Sequence, residues 1–134
     1  MKKNQKLSDD RFYLDLSTIP DAGLGLFAKR DISIGEYMVY YGYIYSKIEK
    51  MNFSKGYKHS KYVYEKQDGT MIDCKEFYDC AARYINDGPQ SGIQPNVKWV
   101  ENNSTRYVLV VFTKNVRKGE EIFISYGSQY WQKE

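Results

Sequence analysis

The residues of this chain that could carry out chemistry are mainly tyrosines and asparagines. The sequence contains 14 tyrosines and a single histidine, His59. It has no nucleophile elbow, no P-loop and no dinucleotide-binding fingerprint, since the glycines of Gly23–Gly25 are too few for a G-x-G-x-x-G loop. Hydrolysis and phosphoryl transfer are therefore poor candidates. Any catalysis must depend on tyrosines, asparagines and backbone groups.

Composition restricts the class of protein further. Cys74 and Cys80 make neither a disulfide framework nor a zinc site, so we expect reduced thiols and no metal. No apolar run is long enough for a signal peptide or a membrane span. The net charge of +3 is small and the charges are interspersed, which leaves a weak attraction to anionic partners but no dedicated nucleic-acid tail. We expect an intracellular protein without sequence-specific nucleic-acid contacts.

The elements that must position these residues are short strands. A length of 134 residues predicts one domain, 1–134, with a loose N-terminal arm at 1–10. Strand patterns recur with turn residues every ten positions or so, which indicates a mainly β domain with short helices. Strands or hairpins are predicted within 11–17, 20–36, 36–46, 61–74, 96–114 and 116–127.

Local signals refine this outline. In the first strand Phe12, Leu14 and Leu16 alternate, which places all three on one side. Residues 36–46 are rich in aromatic and β-branched side chains and predict one continuous strand. Asp68-Gly69 supplies the positive φ angles of a tight hairpin, and Asn102-Asn103 marks a second one.

Two segments predict helical structure. Residues 47–57 suggest one or two helical turns. In residues 75–85, four side chains recur at helical spacing and predict a short helix. They are Phe77, Cys80, Ala81 and Tyr84.

Three segments, taken in order, resemble the SET-domain lysine methyltransferases. The family shows G-x-G-x-F-A, then R-F-I-N-H-S-C-x-P-N, then G-E-E-L-T-F-D-Y-G. The chain has GLGLFA at 23–28, RYIND and PNV within 83–97, and GEEIFISYG at 119–127, with weaker matches at 39–42 and 62–74. Each motif is common by itself, and their joint order carries the resemblance over 12–131. It implies a SET-domain β-fold of several small sheets with a knot-like C-terminal crossing.

The resemblance implies an S-adenosylmethionine-dependent protein-lysine N-methyltransferase, with a histone tail as the favoured substrate. In the family, the substrate lysine enters a narrow channel opposite the cofactor. Its amine has an ordinary pKa of about 10.4 and must lose a proton. Desolvation and the nearby sulfonium charge lower that pKa. The displacement itself mainly needs alignment, which suits a chain with one histidine.

The resemblance also assigns residues to the cofactor. Asn86 matches the asparagine that binds the methionine portion, and Leu24 and Gly25 match a turn whose backbone approaches the cofactor. Trp131, or its neighbour Tyr130, offers a ring that could stack on the adenine. The full cofactor set is Gly23, Leu24, Gly25, Arg83, Asn86, Asp87, Tyr126 and Trp131.

Catalysis and the substrate channel are assigned in the same way. Tyr126 matches the tyrosine that orients the amine and the methyl group. Tyr40 matches a tyrosine near the channel, although the nearby tyrosines at 37, 41 and 43 are alternatives. Tyr62, Tyr64 and Ile124 are assigned to the channel. Ile124 stands where a tyrosine restricts methylation in the family, so it either allows more than one methyl group or simply packs in the core.

The chain departs from the family pattern at three places. Asp87 replaces the usual histidine, and residues 87–94 form a longer loop. The question is whether Asn86 and the backbone of Asp87 still reach the cofactor opposite Tyr126. No cysteine follows Cys80, so residues 128–134, and not a zinc-binding segment, are expected to close the pocket.

The ending resembles that of small viral SET proteins. This predicts a stand-alone domain, leaves a homodimer open and is consistent with a nuclear or chromatin-associated location. Other readings are a methyltransferase for a non-histone protein, an inactive cofactor- or peptide-binding module, and a small β domain that binds nucleic acid through lysines and exposed aromatics.

Overall fold

The fold consists of short strands in four small sheets. The computed structural model describes residues 3–56 and 59–127. The strands are β1 (Phe12–Leu16), β2 (Leu24–Ala28), β3 (Tyr37–Tyr40), β4 (Tyr43–Ile44), β5 (Val63–Glu65), β6 (Met71–Asp73), β7 (Asn86–Asp87), β8 (Val97–Glu101), β9 (Val108–Phe112) and β10 (Phe123–Ile124). Helix α1 spans Lys47–Ser54, and 3-10 turns lie at Ala81–Tyr84 and Pro89–Ser91. The prediction of a mainly β domain with several small sheets is confirmed.

The described strands pair in antiparallel fashion, with one exception. Strands β1 and β2 form an antiparallel pair, and the orders β3-β9-β8 and β4-β6-β5 define two antiparallel three-stranded sheets. The exception is β7, which pairs in parallel with β10 so that Asn86 lies opposite Phe123 and Asp87 opposite Ile124. This pair brings the middle of the chain next to its C-terminal part.

Both predicted hairpins are present. Strands β5 and β6 are joined through Asp68-Gly69, and Gly69 has a φ of 90°, the left-handed conformation that the turn requires. Strands β8 and β9 pair from Val97 opposite Phe112 to Glu101 opposite Val108, with residues 102–107 as their connection.

The single strand predicted for residues 36–46 is wrong, because the chain breaks at Gly42 into β3 and β4, which belong to different sheets. A Cβ atom on Gly42 would lie 2.2 Å from the carbonyl oxygen of Asp73. Glycine therefore allows the end of β6 to pass directly over the break. The composition of residues 36–46 indicated strand structure correctly, but it did not indicate that the end of β6 packs against Gly42.

The helix predicted for residues 75–85 is also wrong. Only Ala81–Tyr84 is helical, as a 3-10 turn, and the preceding residues form successive turns in which Phe77 donates to Cys74 and Cys80 to Phe77. Each of these hydrogen bonds joins residues three positions apart, so the side chains that point inward recur at nearly the same spacing as on a helix. Cys80, Ala81 and Tyr84 are accordingly buried.

The first helical prediction is confirmed by α1, which begins at a capping box formed by Ser46 and Glu49. In β1, by contrast, the expected common face fails at its end. Phe12 and Leu14 are buried, but Leu16 is 66% exposed. The inward face of β1 ends where the strand leaves the core.

The main core lies between β1–β2 and the β3-β9-β8 sheet. Phe12 and Phe112 stack there with parallel rings whose centroids are 6.0 Å apart. The N-terminal arm, predicted to be loose, packs against this core from Leu7, and the Ser8 backbone N–H donates to the Asp79 carbonyl. Within the described residues, no helix combines the length and apolar character needed to cross a membrane, and no cluster of three metal-ligating side chains occurs.

Candidate active site

A cavity of about 80 Å³ lies where the β3-β9-β8, β4-β6-β5 and β7-β10 sheets meet. We call it the tyrosine cavity. Every residue predicted for catalysis or for the substrate channel lines it, namely Tyr40, Tyr62, Tyr64, Ile124 and Tyr126. The fold thus gathers residues that are spread over more than half of the sequence into one narrow space.

Tyr40 is fixed at the back of this cavity at the end of β3. It is only 6% exposed, and its hydroxyl donates a hydrogen bond to the backbone carbonyl of Tyr62. Its ring meets that of Trp99 edge to face, with centroids 5.4 Å apart. Burial raises the pKa of Tyr40 far above its usual value. The side chain therefore stays neutral and acts as a donor, not as a base.

Trp99 is a cavity residue that the sequence prediction missed. Its ring centroid lies 4.7 Å from that of Tyr64, and its indole N–H donates to the Ser125 carbonyl at 3.1 Å. Strand β8 carries Trp99 on the same face as the buried Val97, two positions earlier. The alternation of residues along β8 could have placed Trp99 on the inward face of the strand. It could not have shown that this face lines a cavity.

Tyr126 is placed by the β7-β10 pair. Its hydroxyl donates to the carbonyl of Ile85 at 2.6 Å, and its backbone N–H donates to Asp87 Oδ1 at 3.4 Å. Ile124, two residues earlier, is 1% exposed and lies opposite Asp87 in β7. Tyr126 is therefore held next to the segment that contains Asn86.

Some of the residues assigned to the cofactor form a second cluster, on β2 and β7. Asn86 Nδ2 donates to the carbonyl of Leu24 at 3.0 Å and lies 3.4 Å from Glu121 Oε2. A Cβ atom on Gly25 would come within 2.3 Å of that same carboxylate oxygen. Gly23 precedes β2 with a φ of 75°. Only a chain without a side chain at Gly25 allows this approach.

Glu121 was not predicted, although it organises this cluster. It is 6% exposed and accepts hydrogen bonds from the Ser17 hydroxyl at 2.7 Å and from the Thr18 hydroxyl and N–H at 2.7 and 2.8 Å. The pair Glu120-Glu121 was visible in the sequence, but a doublet does not reveal which carboxylate faces inward. The fold turns Glu121 in and leaves Glu120 exposed.

Arg83 lies on the wall of the tyrosine cavity. Its guanidinium carbon is 4.3 Å from the ring centroid of Tyr62, and its Nη2 and Nε donate to the Lys75 carbonyl at 2.9 and 3.2 Å. The sequence analysis assigned Arg83 to the cofactor, yet these contacts put it beside the channel tyrosines. Trp131 and Tyr130, assigned to the adenine, lie outside the described residues.

The longer loop closes on itself without displacing β7. The N–H of Ile93 donates to the Gly88 carbonyl at 3.0 Å, and the N–H of Gly88 donates to the Ile124 carbonyl at 3.0 Å. Asn96 then binds β10 from the other side, accepting from the Phe123 N–H at 2.9 Å and donating to the Glu121 carbonyl at 3.0 Å. The loop therefore leaves Asn86 in contact with Leu24. The knot-like crossing remains a prediction, as do the roles of residues 128–134.

Comparison with known proteins identifies the family of the chain. The model of the SET domain family matches residues 23–127. The histone-lysine N-methyltransferase EZH2 of Chaetomium thermophilum is 30% identical over 128 residues, and the match covers 87% of this chain but only 8% of that protein. The methyltransferase domain of human PR domain-containing protein 2 shares the fold, with a TM-score of 0.63 at 21% identity, over 90% of this chain and 79% of that domain. Because the family match spans most of its length, the chain belongs to the SET-domain family.

Proposed function

We propose that the chain is a protein-lysine N-methyltransferase that uses S-adenosylmethionine. The observation that carries the proposal is the tyrosine cavity, in which Tyr40, Tyr62, Tyr64 and Tyr126 surround a space of about 80 Å³. A lysine side chain is an unbranched hydrocarbon stem with a polar tip, which suits a narrow aromatic space with hydroxyl groups at its wall. The names of the Chaetomium and human relatives support the same chemistry.

The cavity walls favour the reactive form of a lysine. A free amine with a pKa of about 10.4 is protonated at neutral pH and cannot attack. The rings of Tyr40, Tyr64 and Trp99 exclude water, and desolvation lowers the pKa of an ammonium group. The Tyr126 hydroxyl, oriented by its bond to the Ile85 carbonyl, is placed to align the amine. The chain therefore supplies orientation and desolvation and needs no strong base.

The cluster around Asn86 fits the cofactor. S-adenosylmethionine supplies a methyl group on a positively charged sulfur and carries an ammonium group at its amino-acid end. Within residues 3–56 and 59–127 the amide group of Asn86 makes its hydrogen bonds through Nδ2, so its oxygen can accept one from the ammonium group. The buried carboxylate of Glu121 adds a negative charge beside it. The backbone of Leu24, Gly25 and Asp87 completes the expected contacts.

We extend the proposal to a histone tail as substrate, to more than one methyl group per lysine, and to a chromatin-associated location. Ile124 supports the second point, because its side chain has no hydroxyl that could restrain a methylated amine. Mass spectrometry of a peptide turned over to completion should show dimethyl-lysine or trimethyl-lysine. A product that stays monomethylated at long times would remove this part of the proposal.

The experiment for the function itself is transfer of an isotopically labelled methyl group. The chain is incubated with labelled S-adenosylmethionine and either mixed histones or a panel of non-histone proteins, and the modified residue is located by mass spectrometry. Label on a histone lysine supports the proposal, and label only on the panel assigns a non-histone substrate. Thermal stabilisation by the cofactor without any transfer would instead assign an inactive binding module.

A further inference from the structure

A second and larger pocket, of about 670 Å³, lies beside the β4-β6-β5 sheet, and the function proposed above does not use it. We call it the acidic-aromatic pocket. It is bounded by β4, by α1, and by the segments that flank β5 and β6. Its main lining side chains are Tyr45, Phe53, His59, Asp73, Glu76 and Phe77.

Aromatic rings form adjoining walls of this pocket. Tyr45 meets Phe53 at 4.9 Å between centroids with an interplanar angle of 87°, and Phe53 meets His59 at 5.3 Å and 88°. Tyr43 continues the series, at 5.3 Å and 79° from Tyr45. A cavity walled by mutually perpendicular rings offers π faces in more than one direction, which favours a cationic group.

The charge of the pocket has the sign that a cation requires. Among residues 3–56 and 59–127, its lining contains three carboxylates, on Glu49, Asp73 and Glu76, against one ammonium group on Lys75. The whole chain has a net charge of +3, so this is a local reversal. Asp73 is 7% exposed and is fixed by the Tyr45 hydroxyl, by the Ser60 hydroxyl at 2.7 Å and by the Lys75 N–H at 2.9 Å.

The acidic-aromatic pocket adjoins the tyrosine cavity. Ser60 lines the pocket and Tyr62 lines the cavity, and two residues of extended chain span at most about 7 Å. Lys75 links them a second time, because its side chain lines the pocket while its carbonyl binds Arg83 on the cavity wall. A short peptide whose lysine occupies the cavity could therefore place a neighbouring side chain in the pocket.

We propose that the acidic-aromatic pocket binds a second basic side chain of the protein substrate, a few residues from the lysine that is methylated. This inference rests on the proposed function for the identity of the substrate. Arginine suits the site best, because its planar guanidinium stacks on rings and pairs with carboxylates. The pocket would then select lysines that lie in a basic sequence.

The test uses a set of peptides with one lysine in an otherwise uncharged sequence, and with one arginine moved through each of the four positions on either side. Methyl transfer, measured as kcat/KM, should rise at one or two positions by about five-fold, the size expected for a partly exposed cation–π and ion-pair contact. Glu76→Gln should reduce this preference. Asp10→Asn removes one exposed carboxylate that does not line the pocket, and it should leave the preference for the arginine position unchanged.

A binding measurement separates this inference from the proposed function. His59 is the single histidine, so its ring signal in an NMR spectrum is unambiguous. Addition of the best arginine peptide should shift that signal, and Phe53→Leu should weaken the shift, whether or not a methyl group is transferred. Transfer that is equal for all arginine positions, together with an unmoved His59 signal, would overturn the inference and leave the methyltransferase proposal standing.

Discussion

At the scale of single residues, the tyrosines of the tyrosine cavity are positioned by backbone carbonyls. The Tyr40 hydroxyl donates to Tyr62, and the Tyr126 hydroxyl donates to Ile85. Each bond fixes the direction of a hydroxyl oxygen, and burial keeps Tyr40 protonated by raising its pKa. Tyr40 is therefore unsuited to removing a proton, and under the proposed function both hydroxyl groups serve to align the substrate amine.

The motifs in the sequence located these tyrosines and Asn86, but not the residues that pack against them. Trp99, beside Tyr40 and Tyr64, and Glu121, beside Asn86, were found only in the structure. An aromatic residue on an inward strand face is ordinarily core, and a carboxylate beside another one is ordinarily solvated. What distinguishes both is the meeting of elements that are distant in sequence, such as Glu121 with Ser17 and Thr18.

Gly25→Ala tests the close packing of the cofactor cluster. The added methyl group would lie 2.3 Å from Glu121 Oε2, so the carboxylate must move and its hydrogen bonds must weaken. We expect the free energy of unfolding to fall by about 1–3 kcal/mol, as for overpacking in a core. Urea denaturation measures it. The same substitution in a Glu121→Ala background should cost clearly less, and an equal cost in both backgrounds would show that the clash is absent.

At the scale of elements, the sequence predicted the secondary-structure elements that are bounded by residues with a strong local turn preference. Asp68-Gly69, for example, identified the β5-β6 hairpin. The break at Gly42 and the turns of residues 75–80 were missed because their cause is not local. The break at Gly42 depends on the backbone carbonyl of Asp73, which packs directly against Gly42. The second follows from i to i+3 bonds that share the spacing of a helix.

The carboxylate of Glu36 connects the start of β3 to the start of β1 through Arg11. Glu36 accepts hydrogen bonds from Arg30 at 3.0 Å, from the Ser33 N–H at 2.7 Å and from Arg11 at 3.2 Å. The hydrogen bond from Arg30 is the largest of the causes that lower the pKa of Glu36 from 4.5 to about 2. A carboxyl whose folded pKa is depressed stabilises the fold above its unfolded pKa, and this contribution is lost as pH falls through the folded pKa.

Glu36→Gln should therefore weaken the dependence of stability on pH between 4.5 and about 2. In wild type the melting temperature should fall over this range as Glu36 is protonated, and the variant should show a shallower fall from a lower starting value. Thermal denaturation in a series of buffers measures both. Glu65→Gln, at an exposed position of β5, is the matched control and should retain the wild-type slope. Parallel curves for wild type and Glu36→Gln would contradict this explanation.

At the scale of the whole molecule, the small sheets together build the tyrosine cavity and the cluster around Asn86. The tyrosine cavity forms where three sheets meet, and the cofactor cluster forms where β2 contacts β7. No single sheet carries the complete set of residues. The order of the motifs along the sequence was informative for this reason, since they contribute β2, β7 and β10, which are distant in sequence and are brought together only by the fold.

Cofactor binding should stabilise the entire fold, because Leu24, Asn86 and Glu121 join segments from both ends of the chain. S-adenosylmethionine at about one hundred times its dissociation constant should add about 2.7 kcal/mol, enough to raise the melting temperature by roughly 10 °C. Asn86→Ala should lose most of this increase. An unchanged melting temperature at saturating cofactor would argue against the assigned site.

The most direct test of the account is the rate of methyl transfer to a lysine peptide by Tyr126→Phe, compared with wild type and with Tyr37→Phe. Tyr37 is 54% exposed on β3 and does not line the tyrosine cavity, so its variant controls for the loss of a hydroxyl. Loss of a group that aligns the reaction should lower kcat by about a hundred-fold or more. We predict that result for Tyr126→Phe, with Tyr37→Phe close to wild type. A kcat for Tyr126→Phe equal to that of wild type would contradict the assignment of the tyrosine cavity as the place where the amine reacts.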